Sequence, residues 1–146
     1  MLAPLLEALY IIVKSICAFF TLVFLVACTR YDSTAQALDF DGYNDKIILS
    51  EHVKSDWEQV CIFGPYSNND YAQSTLGFAW DIESKSSIFA NDGISLLVFI
   101  EENRVLAHFE VSRRNVDFAN LSGNCLNRNN AIFINKEGKY VLFENV

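Results

Sequence analysis

Residues 94–111 constrain the fold more than any other stretch. ISLLVFI (94–100) is apolar apart from Ser95, and RVLAHFEV (104–111) alternates, with only Glu101, Glu102 and Asn103 between them. A strand that is apolar throughout suits the middle of a sheet, covered on both faces. An alternating partner needs cover on one face only. Three polar residues close such a pair as a hairpin, with Asn103 suited to a left-handed conformation. The alternation places Val105, Ala107, Phe109 and Val111 on one face and Arg104, Leu106, His108 and Glu110 on the other. Residues 131–135 and 140–144, joined by Lys136, Glu137, Gly138 and Lys139, read as a second hairpin. Phe99, Val105, Phe109 and Phe133 are the expected core between the two.

Further elements are shorter. WEQVCIF (57–63) alternates, with Trp57, Gln59, Cys61 and Phe63 together, and Gly64 and Pro65 end it. FAWDI (78–82) predicts a brief strand, and residues 83–91 a Ser-rich loop. Residues 47–49 form a short apolar run, and 50–57 predict one or two helical turns capped by Ser50. Asn69 or Asp70 caps a short helix through Leu76, stopped by Gly77, and residues 115–123 predict a turn ended by Gly123. No internal repeat is visible. These elements predict an α+β or mostly β fold: an antiparallel sheet of about five strands with one or two short helices, not a doubly wound parallel sheet.

The N-terminal segment has a different character. Residues 16–28, ICAFFTLVFLVAC, are apolar except for Thr21, with Lys14 in front and Ala27 near the end. The run is shorter than the about 20 residues that span a bilayer. It matches the apolar region of a secretory signal, with a positive charge before it and a small residue behind. Residues 1–13 carry Glu7 and no basic residue, which suits a translation start near Val13. An uncleaved anchor helix over residues 8–28, with Lys14 reaching the interface, is the alternative.

Leu25-Val26-Ala27-Cys28 resembles the lipobox of bacterial lipoproteins. The resemblance covers the signal alone. It implies cleavage between Ala27 and Cys28, diacylglycerol on the Cys28 sulfur, and acylation of the new amino group, because stable anchoring takes more than one chain. Thr29, where an Asp would favour inner-membrane retention, implies the outer membrane of a diderm host, facing the periplasm. The expected organisation is a signal peptide over 1–27, a lipidated N-terminus and tether over 28–45, and one globular domain over 46–146. Within the tether, Asp39 and Asp41 before Gly42 resemble part of a calcium loop. The twelfth position, however, is Ser50 rather than Glu, so a solvated turn is expected.

With Cys17 removed and Cys28 lipidated, Cys61 and Cys125 remain. In an oxidising compartment an even remainder suggests a disulfide between them. Two separate buried thiols are the alternative. Neither lies in a Cys-x-x-Cys motif, so redox catalysis and zinc binding lack support.

The charge narrows the function. Eleven basic residues stand against 18 acidic ones, a net −7. Nucleic-acid binding needs a basic face, and binding to anionic lipid needs a basic cluster. Neither is expected. His52 and His108, 56 residues apart, do not by themselves make a metal site, and no cofactor is expected. Asp81 and Glu83 are two residues apart at an expected strand end, where exposed acids need no catalytic role. Arg113, Arg114 and Arg128 are more suggestive. A disulfide would bring Tyr66 near Arg128, making a basic spot able to hold a carboxylate or phosphate, whereas pairing of the arginines with Asp117 or Glu110 is the simpler expectation. The leading expectation is an exported, lipid-anchored, non-enzymatic accessory or interaction domain of the cell envelope. Its expected partners are membrane lipid, through acylated Cys28, and an envelope protein. A hydrolase or metal-dependent enzyme, or a small-ligand receptor, are the alternatives.

Overall fold

Five strands build the larger of two sheets in a computed structural model that describes residues 36–38, 40, 45–136 and 139–142. The strands are β1 (Gln36–Ala37), β2 (Lys46–Ile48), β3 (Gln59–Phe63), β4 (Ile94–Glu101), β5 (Arg104–Ser112), β6 (Cys125–Asn127), β7 (Ile132–Lys136) and β8 (Lys139–Leu142). The helices are α1 (Leu49–His52), α2 (Asn69–Leu76) and α3 (Ile82–Lys85), with 3₁₀ turns at Ala119–Leu121 and Arg128–Asn130. The larger sheet runs β1-β5-β4-β3-β6 and the smaller β2-β7-β8. Every pairing is antiparallel except that of β1 with β5. The fold is α+β with antiparallel sheets, as expected. The strands divide between two sheets rather than one, because the second hairpin pairs with β2 and not with the first hairpin.

The central strand explains the layering. Leu96, Leu97, Val98 and Phe99 of β4 are all fully buried. Leu97 and Phe99 join Val60, Ile62, Val111, Trp57, Phe118 and Phe133 in a core shared with the smaller sheet. Leu96, Val98 and Ile100 join Cys61 and Phe63 on the opposite face, beneath Ala72 of α2, Ile82 of α3 and Ile88. A strand covered on both faces has no polar side to alternate with, which is why ISLLVFI is apolar apart from the buried Ser95.

A bulge rearranges the faces of β5. Phe99 pairs with Ala107 and Ile100 with Val105, leaving Leu106 extra. The extra residue reverses the alternation on one side of it. Leu106, Ala107 and Phe109 therefore pack on the core shared with the smaller sheet, and Val105 on the helix-covered one. The expectation that Val105 lies between the hairpins is thus corrected, whereas Phe99 and Phe133 are fully buried there. His108, expected on a polar face, is only 3% exposed because α3 and the chain after it cover that side. Glu110 beside it accepts hydrogen bonds from the Ser86 hydroxyl (2.8 Å) and the Ser87 amide (2.7 Å).

Other expectations shift by local geometry. Trp57 precedes β3 instead of sharing a face with Cys61. It packs edge-on against Phe99 at 4.9 Å, and its indole donates to the Val53 carbonyl at 3.0 Å. Residues 78–80 are not strand, and α3 follows where a brief strand and loop were expected. Ser50 lies inside α1, which begins after Ile48 without a side-chain cap. The first hairpin closes through two residues, Glu101 pairing with Arg104, and Glu102 rather than Asn103 takes the positive φ of 54°. Within the stretch read as tether, Gln36–Ala37 pairs with β5 and Phe40 is buried.

Cys61 and Cys125 are disulfide-bonded. Cys125 belongs to β6 and not to the second hairpin, so the bond joins two strands of the larger sheet. The signal segment, the lipobox with Cys28, Asp39, Asp41 and Gly42, Glu137 and Gly138, and residues 143–146 lie outside the described residues. Among the described residues no helix is long and apolar enough to cross a membrane.

Candidate binding groove between two short helices

The helix-covered face of the larger sheet carries a groove of about 250 Å³ lined by Asn69, Gln73, Ala79, Trp80 and Asp81. Two short helices frame it, and each has defined ends. Asn68 caps α2 by accepting from the Tyr71 amide at 2.9 Å, and Gly77 ends it at φ 79° with no atom within reach of an added Cβ. A left-handed residue closes a helix end with little strain only when it lacks a Cβ. Asp81 caps α3 by accepting from the Ser84 amide at 3.2 Å.

The two helix starts are fastened to each other. The Asn69 amide donates to Glu83 Oε1 (3.0 Å), and the Glu83 amide donates to Asn69 Oδ1 (3.2 Å). Asn69 also hydrogen-bonds Asp81. Hydrogen bonds from Ser84 and then Asn69 hold the Asp81 carboxyl below its ordinary value, so it is an anion near neutral pH. Asp81 and Glu83 are therefore helix-end groups, not a paired acid and base.

Trp80 forms the wall between them. It is half-buried and meets His108 edge-on, with ring centroids 5.3 Å apart. His108 Nε2 lies 3.2 Å from the Lys85 carbonyl. A carbonyl only accepts, so Nε2 carries the hydrogen. Burial pushes His108 below its ordinary value, which leaves a neutral imidazole supporting the indole from beneath. Among the described residues, the Gln73 side-chain amide and the Trp80 indole N–H have no protein partner. The groove thus offers an aromatic surface, a free amide, a free N–H donor and a fixed carboxylate.

The residues singled out from sequence fall elsewhere. Arg113 is held by both oxygens of Asp117, at 2.9 and 3.0 Å, and by the Asp92 carbonyl at 2.6 Å. Pairing with Asp117 is the simpler of the two outcomes expected for it. Arg114 is exposed, with no partner among the described residues. Arg128 stacks over Trp57 at 5.0 Å and donates to the Ser55 and Trp57 carbonyls.

Arg128 does not meet Tyr66. Its amide bonds Glu58 just before β3, whereas Tyr66 follows the end of that strand. Five strand residues at about 3.3 Å each keep the two apart, so the disulfide does not assemble the basic spot expected from it. Tyr66 is 63% exposed at φ 64°. His52 is exposed and touches Phe40 of the inter-sheet core edge-on at 5.0 Å, whereas His108 lies on the helix-covered face, so the two histidines share no site. Among the described residues no three metal-binding side chains come together.

Trp80 escapes a reading of the sequence because residues 78–82 alternate as a strand does, whereas Gln73 lies in the expected helix but carries no motif that marks a site. Asp81 is instead the N-cap of a helix, a position that Asp favours. Asn69 and Gln73, four apart, lie on one face of the helix before it. No protein-family model, curated protein or solved structure matches this chain.

Proposed function

We propose that this protein is an exported, lipid-anchored domain of the cell envelope that acts by binding rather than by catalysis. The observation that carries this reading is the disulfide between Cys61 and Cys125. Such bonds form and persist in oxidising compartments outside the cytoplasm. The lipobox resemblance at Leu25-Val26-Ala27-Cys28 supports the same location independently. Diacylglycerol on Cys28 with a further acyl chain on its amino group would anchor the chain, with Thr29 favouring the outer membrane and a periplasmic domain.

Binding is favoured over catalysis by what the acid and base candidates do. Asp81 and Glu83 accept helix-start hydrogen bonds, and His108 is buried beneath Trp80. A general base must reach its proton within hydrogen-bond distance, directly or through one water. What faces solvent is a groove and the exposed aromatics Tyr66 and Phe89, surfaces suited to recognising an envelope protein or a small ligand.

Metabolic labelling of full-length protein with an alkyne-tagged fatty acid tests the anchor. Label is expected on the native chain and not on Cys28→Ser. Equal labelling of the two, or none on either, overturns the lipid anchor. Alkylation of protein purified from the envelope without reductant tests the compartment: Cys61 and Cys125 are expected to be blocked, and free thiols there overturn export.

A further inference from the structure

We propose that the groove formed by Trp80, Gln73 and Asp81 binds a neutral saccharide. The proposal supplies a ligand class for the binding reading. It stands on the groove alone and does not depend on the lipid anchor.

The chemistry of the groove's polar groups selects the ligand. A sugar hydroxyl both donates and accepts, so neighbouring hydroxyls match a mixed set of donors and acceptors. The groove supplies such a set. The Trp80 N–H donates, the Gln73 amide does both, and the Asp81 carboxylate accepts. The C–H face of a pyranose ring carries slight positive charge and is attracted to the negative face of an indole. Trp80 is already ordered by its contact with His108, and Asp81 by Ser84 and Asn69, so little freedom is lost on binding.

Other ligand classes fit less well. A phosphate or carboxylate would be repelled by Asp81, with Glu83 close by in a chain of net charge −7. A nucleotide could stack on Trp80, but its phosphates meet the same acids. An organic cation would use Trp80 and Asp81 while leaving the Gln73 amide idle. The volume, about 250 Å³, lies below the about 300–1,000 Å³ of sites for drug-sized ligands. One or two sugar units suit it better than an extended cofactor.

The two tryptophans provide the readout. Trp57 is 1% exposed with its N–H bonded to Val53, so a soluble quencher reports on Trp80. Full-length protein in a sugar-free detergent would be titrated with glucose, galactose, N-acetylglucosamine and the trisaccharide of the last. At least one is expected to protect Trp80 from acrylamide quenching saturably, with little change across about 50–500 mM salt. Gln73→Ala is expected to weaken binding about tenfold, the loss of one hydrogen bond to the ligand. Its circular dichroism should be unchanged, because Gln73 is exposed and its amide has no partner among the described residues. Trp80→Phe, titrated by calorimetry because it lacks the reporter, should keep part of the affinity by stacking, and full affinity in this variant would overturn a role for the indole N–H. Absence of saturable protection by every sugar up to about 50 mM overturns the proposal. Equal binding by Gln73→Ala also overturns it, as does salt-sensitive protection by tetramethylammonium in place of the sugars. Fatty-acid labelling at Cys28 is unaffected by any of these results, so failure here is distinct from failure of the anchor.

Discussion

Cys61 and Cys125 stand directly opposite each other in antiparallel β3 and β6, their Cα atoms 4.0 Å apart and 64 residues apart in sequence. Among the described residues the three-residue β6 is an edge strand that pairs with β3 alone, so the bond secures a short element. Closing a loop of that length stabilises the fold by about 4 kcal/mol in the chain-entropy model. Reduction, or replacement of both cysteines by Ala, should lower the denaturant midpoint by a corresponding amount. A loss below about 1 kcal/mol would show that β6 is held by other contacts.

Phe99 and Val105 provide a paired test of the bulge. Phe99 is fully buried, edge-on to Trp57 at 4.9 Å and to Phe109 at 5.7 Å. Phe99→Ala should cost about 3–5 kcal/mol. Val105 is only partly buried on the other face, and Val105→Ala should cost roughly 1 kcal/mol. Equal costs would mean that Val105 shares the inter-sheet core and that the bulge lies elsewhere.

His108 makes stability depend on pH. Burial holds its folded value below the ordinary 6.5, so the folded form resists protonation. Below 6.5 the unfolded chain takes up a proton that the folded chain refuses, and stability falls as pH drops toward the folded value. Thermal unfolding measured from pH 7.5 down to 5 should show this decline, and His108→Phe should reduce it. An unchanged slope in the variant would assign the effect to other groups.

Asp117 should matter more than the arginine it binds. Besides Arg113, it accepts from the Ala119 amide at 2.9 Å at the start of a 3₁₀ turn. Asp117→Ala should cost about 1–2 kcal/mol through loss of that charge-assisted hydrogen bond together with the ion pair. Arg113→Ala removes a half-exposed ion pair and should cost at most about 1 kcal/mol. The reverse order would make the Arg113 bond to the Asp92 carbonyl the stronger element.

Patterns repeated over several residues are legible in the sequence alone. The 94–111 hairpin, the 131–142 hairpin, the helix stopped at Gly77 and the cysteine pair all follow from periodicity, from a residue that tolerates positive φ, or from an even thiol count. The bulge is not legible, because Val105, Leu106 and Ala107 are all apolar and suit either face. The groove is hidden for a related reason. FAWDI alternates as a strand would, yet Asp81 uses its carboxylate to start a helix.

Chain periodicity by itself determined which segments extend and that β4 lies inside a sheet, since burial on two faces disfavours polar side chains and leaves Ser95 as the one polar residue among 94–100. It also determined that the first 28 residues differ in kind from the rest. Only the tertiary structure decided that the second hairpin pairs with β2 and not with the first hairpin, that His108 is buried, and that Arg128 lies far from Tyr66. Those outcomes depend on which distant surfaces cover one another. Hydrophobic burial is non-directional and rewards covered area without specifying the partner, so a local pattern cannot name it.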